Sequence, residues 1–458
     1  MCINLYIAFD ILSIEIQKNA DKISGCHERK GDNMADNFKE IIGYEDIKKE
    51  LDIIIDMMNN TEQYRKMGAS LEKGLILEGK PGTGKTTMAN CLVNAITTRK
   101  CFVCRKKNSD GQFVDEIVKT FEEAKNNAPS IVFLDDVDKF AEKGSNGIED
   151  NDPEEFVAIQ SCMDEVKDMD VFVIATANKI HKLPDSLIRP GRLGKVLTIR
   201  LPKPDESEKI INHYLEKTNA GTDLDSVSIS KLLYGETCAT LENVIARAAA
   251  KATFNRQKTV TMKNIVDACL DMVFDSPEYD KKISEETLRR IAYHEAGHAI
   301  ASELLDPGSV SIASIRMSSG DKLGFVRYCR EDDDEITFDY FQNQLKTSLA
   351  GRAATEIVYG ETDLGANNDL HNAFEKARRI VDNYCTYGFS NWIEDCETSF
   401  SAENRNRTMA LIMEQNYQAV KKLLIQNRAL LDCMTEALME RTTLIYSDIQ
   451  AILRDKAS

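Results

Sequence analysis

The sequence predicts an α/β protein: a parallel-sheet core around a phosphate-binding loop, then a small helical bundle, then a mainly helical domain carrying a metal motif. Three observations predict this. Short apolar runs alternate with helical stretches of roughly 10–20 residues in the first half, the pattern of a parallel sheet. The first run is followed at once by a glycine-rich turn, Gly79-Lys80-Pro81-Gly82-Thr83-Gly84-Lys85-Thr86. In the second half, His294-Glu295-Ala296-Gly297-His298 falls inside a helical stretch.

Taken in order, residues 1–33 form a leader of no clear pattern, and a more regular sequence begins at Met34. The apolar run Ile3–Phe9 is followed by Asp10 and Glu15. It falls far short of the ~20 apolar residues a bilayer requires and lacks the flanks of a signal peptide. Leu75–Glu78, Ile131–Leu134 and Val171–Ala175 read as buried strands, with a helix opening near Thr86. Leu201-Pro202-Lys203-Pro204 ends that region. Ser207–Lys217, Ser228–Leu233, Thr240–Asn255 and Lys263–Met272 follow as short helices, and Asp275-Ser276-Pro277 reads as a linker. Beyond it come a helix over 284–304, a hairpin-like stretch over 310–328 and mostly long helices over 338–450. The expected domains are therefore 34–204, 205–276 and 277–458.

Charge and cysteine usage narrow the function. Asp and Glu number 75 against 58 Lys and Arg, a net charge of −17. That balance argues against nucleic acid as the main partner, because phosphate binding requires a basic surface. Twelve cysteines spread through 458 residues read as reduced thiols rather than a disulfide framework. Cys101 and Cys104 make one CxxC with no second pair after it, so ordinary thiols are expected there too.

The glycine-rich turn matches GxxxxGK[ST] in its required context, after a strand and before a helix. Gly79, Pro81, Gly82, Thr83 and Gly84 form the loop that wraps phosphates with backbone N–H groups. Lys85 would reach the β/γ-phosphates of ATP, and Thr86, with Thr87 beside it, would serve Mg²⁺ and the nucleotide. The helix start adds its positive dipole end. Ile131–Leu134 runs into Asp135-Asp136, an apolar strand ending in acid. Asp135 would hold Mg²⁺ and Asp136 would polarise the attacking water. Asn178, just past the strand ending Ala175-Thr176-Ala177, would contact the γ-phosphate or that water. Arg189-Pro190-Gly191-Arg192 puts two arginines on a rigid turn, suited to stabilising charge in phosphoryl transfer.

In HExxH, positions i and i+4 share one helix face, so His294 and His298 can bind one Zn²⁺ while Glu295 acts as general base. The motif arises by chance at this composition on the order of once in a hundred such chains. The pattern leaves the third ligand open among Glu356, Asp363, Asp369 and His371.

These motifs, in this order, resemble those of the FtsH-type ATP-dependent zinc metalloproteases over roughly residues 36–455. Phe38–Leu270 resembles the AAA+ ATPase module. "NKIHKLPDSLIRPGR" is similar to its second region of homology, and Gly235–Arg247 to its lid. The resemblance implies an α/β P-loop AAA+ core with a helical lid, followed by a mainly α-helical zinc metallopeptidase domain. It makes Asn178 the sensor-1 residue. It makes Arg189 and Arg192 arginine fingers reaching a neighbouring subunit's ATP, which implies a ring, normally a homo-hexamer. "LAGRAATEIVYG" and "GANNDL" resemble the family's motifs after the zinc helix, and the acid of the second, Asp369, is then the third zinc ligand. Glu356 becomes a structural or outer carboxylate.

The chain departs from the family pattern in four places. The transmembrane helices that anchor the family are not visible, which moves the expected site of action to the cytoplasm, with peripheral membrane association through a partner allowed. Asp136 stands where the family has Glu, one methylene shorter, or about 1.5 Å; since ~1 Å of misplacement can cost about a hundredfold in rate, slow hydrolysis is expected. The pore-loop aromatic position falls at Ser109, with Phe113 as a stand-in if the loop is shifted. Leu193-Gly194-Lys195 replaces Phe-Asp-Arg. The expected function is an ATP-dependent zinc metalloendopeptidase acting on unfolded or misfolded polypeptides. The alternatives are a nucleotide-gated chaperone or unfoldase with little proteolysis, and a peptidase whose ATPase module serves only to assemble the ring.

Overall fold

The computed structural model describes residues 37–106, 113–140, 153–276, 283–317, 323–329, 337–361, 367–388 and 399–457. The leader, Ser109 and its neighbours in the pore-loop stretch, Pro277 and Asp363 lie outside them. The chain divides into two compact units. One joins the described part of Met1–Gly79 to Lys85–Ile199; the other joins Lys80–Gly84 to Arg200–Ser458.

The first unit holds helices α1 (Glu45–Asn59) and α2 (Thr61–Lys66), then β1 (Gly74–Glu78), α3 (Lys85–Ala95), β2 (Lys100–Cys104), α4 (Phe113–Asn126), β3 (Ser130–Leu134), α5 (Glu154–Glu165), β4 (Val171–Ala177) and β5 (Lys195–Thr198). The strands form one sheet in the order β2-β3-β4-β1-β5, every pairing parallel. All residues of β3 and β4 are buried, as expected for central strands covered on both faces. Because the sheet is parallel, the loops after β1, β3 and β4 leave from one edge, where open α/β sheets place their ligands. Phe113 is not a free loop aromatic. It is buried at the start of α4 and meets Phe140 edge-on, centroids 4.7 Å apart.

The second unit begins with α6 (Pro204–Leu215), α7 (Ser226–Leu232), α8 (Cys238–Phe254) and α9 (Met262–Met272). These are well-started helices: Asp225 accepts from the Val227 and Ser228 amides, and Thr237 accepts from that of Thr240. Then come α10 (Glu285–Leu305), β6 (Val310–Met317), β7 (Leu323–Tyr328), α11 (Phe338–Tyr359), α12 (Asn367–Arg378), α13 (Ser399–Gln426), α14 (Arg428–Arg441), β8 (Thr443–Ile445) and α15 (Tyr446–Ala457). α10 runs through the centre of the domain, buried almost without break from Ala292 to Glu303. Its alanines pack with Leu345, Leu349, Ala350 and Ala353 of α11 in the main core cluster. The small antiparallel sheet, ordered β7-β6-β8, covers another side of the domain; the sequence anticipates its first two strands, and β8 is additional. Among the described residues no helix is long and apolar enough to cross a membrane.

Candidate active sites

At the nucleotide motif, α3 opens at Lys85, whose ammonium donates to the Gly79 carbonyl (2.9 Å). Burial pulls its pKa down, opposed by Asp136, Asp138 and Asp135. Thr83 is buried, its hydroxyl donating to the Lys80 carbonyl (2.9 Å). In the second unit the Gly82 carbonyl accepts from the Ala239 amide (3.0 Å), so this loop meets the start of α8. Pro81 and Thr87 are both exposed.

Asp135, buried at the end of β3, gathers donors. Thr176 (2.7 Å) and Thr86 (3.1 Å) donate to its Oδ1, and Arg105 donates to its Oδ2. Burial works against its charge, but these donors outweigh it and hold the carboxyl below the usual range. A carboxylate and a threonine hydroxyl this close are the oxygen donors a magnesium–nucleotide site uses. Asp136 adopts the left-handed conformation (φ 56°). Its amide donates to Thr176 Oγ1 (2.7 Å), while its carboxylate accepts from Lys139 (2.7 Å) and from Asn178 Nδ2 (3.2 Å). The Asn178 amide in turn donates to buried Asp138 (3.0 Å). The register of β3 beside β4 thus brings Asp135, Asp136 and Asn178 together. Sequence reasoning missed Thr176, a polar residue inside a run judged by its other members, and Asp138, which lies two residues past the acidic pair Asp135-Asp136.

The two arginines of the RPGR turn part company. Arg189 is exposed. Arg192 is buried and held within its own chain: Nε and Nη2 grip Asp164 (3.0 and 2.7 Å), and Nη1 donates to the Ser186 carbonyl (2.7 Å). Cys101 and Cys104 are free thiols on β2. Burial pushes their pKa values to about 11 and about 12, which favours the neutral thiol at ordinary pH.

At the HExxH motif the i, i+4 spacing on α10 sets the two imidazoles side by side, Nε2 to Nε2 3.1 Å. Asp369, in the first turn of α12, brings its Oδ2 to 3.0 Å from His294 Nε2 and 3.3 Å from His298 Nε2. Tetrahedral zinc bonds of about 2.0–2.1 Å place ligand atoms roughly 3.3 Å apart, so the donor set fits zinc. Among the described residues this is the one cluster of three such groups. Burial disfavours charge on Asp369, but its hydrogen bonds to His294 and His298 prevail and hold the carboxyl well below the usual range. His298 Nδ1 lies 2.7 Å from the Thr347 carbonyl, a bond that turns Nε2 toward the other ligands. A backbone acceptor of this kind leaves no signature in a sequence.

The wall of this site is bare backbone. A Cβ on Gly351 of α11 would sit 2.5 Å from His298 Nε2 and 2.6 Å from His294 Nε2. Gly324 of β7, at φ +79°, lies against Glu295, where a Cβ would fall 2.6 Å from Oε1. Glu295 is buried, and that burial pushes its carboxyl up to about 7, with the two histidines drawing it down and Asp369 raising it. The two other described candidates for the third ligand, Glu356 and His371, are not part of this cluster. Glu356 accepts from Tyr417 and from Lys421 (2.8 Å), joining α11 to α13, and His371 is exposed.

Residues 75–201 match the model of the ATPase family associated with various cellular activities (AAA), and residues 281–452 match peptidase family M41. The ATP-dependent zinc metalloprotease FtsH of Thermus thermophilus is 30% identical over 91% of this chain and 70% of its own length. FtsH 2 of a Thermoanaerobacter species is 29% identical over 92% and 83%. FtsH of Pelobacter propionicus is 30% identical over 92% and 72%.

Proposed function

The chain belongs to the FtsH family of ATP-dependent zinc metalloproteases, and on that premise we propose that it cuts unfolded or misfolded polypeptides at His294, His298 and Asp369 as zinc ligands, with Glu295 as general base. One observation carries the assignment: the three ligand atoms lie 3.0 to 3.3 Å apart with Glu295 buried beside them. Zinc held there supplies acidification of water and polarisation of a scissile carbonyl. Glu295 takes the proton from water and passes it to the leaving amine. Its burial keeps it basic enough to do so, and a dication alongside draws it back toward an ordinary carboxylate.

ATP binds the loop Gly79–Thr86, with Lys85 on its phosphates and Asp135 and Thr86 on Mg²⁺. Asp136, steadied by Asn178, orients the attacking water. The protein works as a homo-hexameric ring in which Arg189 reaches the neighbouring nucleotide. We place its action in the cytoplasm, where thiols stay reduced; the free thiols Cys91, Cys101, Cys104, Cys162 and Cys269 support that reading. The domains run 34–204, 205–276 and 277–458.

The test is casein cleavage by the zinc-loaded protein with ATP, a non-hydrolysable analogue, or no nucleotide. Cleavage with ATP alone is expected, and its disappearance in Glu295→Gln shows that the activity belongs to this chain. Absence of cleavage under every condition, with ATP turnover intact, would refute the peptidase in favour of a chaperone.

A further inference from the structure

Arg105 has no role in the reading above, yet it binds the most buried acid of the nucleotide site. The parallel pairing of Cys104 with Leu134 sets Arg105 directly beside Asp135. The Asp135 amide donates to the Cys104 carbonyl (3.1 Å), which locks that alignment. The Arg105 side chain is 55% exposed and that of Asp135 3%, so the guanidinium reaches inward from the surface to the carboxylate. The carboxylate is divided between two sets of donors. Oδ1 accepts from Thr176 and Thr86, and Oδ2 is taken by Arg105.

We propose that Arg105 is a positioning residue that shares Asp135 with the nucleotide's magnesium and thereby sets how much divalent cation the site demands. This rests on the assignment of Asp135 as a magnesium ligand. A fixed guanidinium on the same carboxylate repels a dication and competes for Oδ2. The site therefore fills with metal only at higher concentration. The same positive charge favours the polyphosphate, so nucleotide binding depends less on metal than it would without Arg105.

The experiment uses the full chain saturated with a non-hydrolysable ATP analogue and titrates Mn²⁺, following free Mn²⁺ by electron paramagnetic resonance. Arg105→Ser is expected to lower the Mn²⁺ concentration at half-saturation on the order of tenfold. Arg105→Gln, which keeps a hydrogen-bond donor but no charge, is expected to follow it and serves if the serine variant folds poorly. Arg105→Lys should stay near the native value. A purely structural ion pair would shift the melting temperature and leave the Mn²⁺ titration where it was, and that result overturns the proposal. So does weaker Mn²⁺ binding in Arg105→Ser, which would make Arg105 an aid to the metal. Asp135→Asn separates the two levels: if it leaves Mn²⁺ binding unchanged, the assignment of Asp135 fails and takes the role of Arg105 with it. If Asp135→Asn weakens binding but the Arg105 variants do not alter it, only the role of Arg105 fails.

Discussion

Two of the three groups at the metal motif come from a single helix, one turn apart, and the third from the start of another. The groups at the nucleotide site come from a loop and from the ends of two neighbouring strands, aligned by sheet register. The first arrangement is local and crowded. Helix geometry fixes the imidazoles, and bare glycine backbone closes on them at Gly351 and on Glu295 at Gly324. The second is assembled at a distance and its charges answer one another: Asp135 to Arg105, Asp136 to Lys139. A crowded helix site fails when a single methyl is added. A strand-end site changes its behaviour when a single neighbour is exchanged.

That contrast can be broken or sharpened by substitution. The largest effects should come from removing one anchor at each site. His294→Ala should lose stoichiometric zinc by atomic absorption, with casein cleavage down at least a thousandfold, while ATP binding persists. Lys85→Ala should lose ATP binding by calorimetry while zinc content stays native. If either variant disabled both sites, the two would not be separately built. Next in size is Gly351→Ala, whose added Cβ collides with both imidazoles; a fall in zinc affinity on the order of tenfold to a hundredfold is expected, and unchanged affinity would contradict the crowded wall. At the nucleotide site, Asp136→Glu should raise ATP turnover by about tenfold or more, since the longer side chain recovers reach. A turnover number equal to the native one would show that the shorter acid is not limiting. The two arginines should then separate. Arg189→Ala should reduce ATP turnover with the melting temperature unmoved. Arg192→Ala should also lower the melting temperature by a few degrees, because it removes a bidentate ion pair and a carbonyl contact. The smallest effect belongs to Glu356→Gln, with zinc content and cleavage near native and a loss of ~1 kcal/mol at most from its contacts to Tyr417 and Lys421, measured by urea titration.

Burial decides what could be read in advance. β1, β3 and β4 lie in the middle of the sheet and show as apolar runs. β2 and β5 are its edges: β2, Lys100–Cys104, opens on a charged residue and buries only Cys104, and β5, Lys195–Thr198, has just two apolar residues, so neither stands out as the central strands do. β8 is three residues long and sits in a stretch whose pattern is otherwise helical. The chemical motifs were legible because their spacing is local: a loop before a helix, histidines four apart. Asp369 needed a family resemblance, since nothing in its own spacing distinguishes it from Glu356 or His371. The Thr347 carbonyl, the Arg105–Asp135 pair and the parting of Arg189 from Arg192 arise only when distant segments meet.

Because Asp135 and Asn178 adjoin the two fully buried central strands, their positions are tied to the most protected backbone of the first unit. The amides of the fully buried β3 and β4 are expected to be among the slowest to exchange with solvent deuterium. The backbone that carries Asp135 is thereby anchored to the central sheet. Adjustment over an ATP cycle falls to the side chains that answer that acid, above all the half-exposed arm of Arg105.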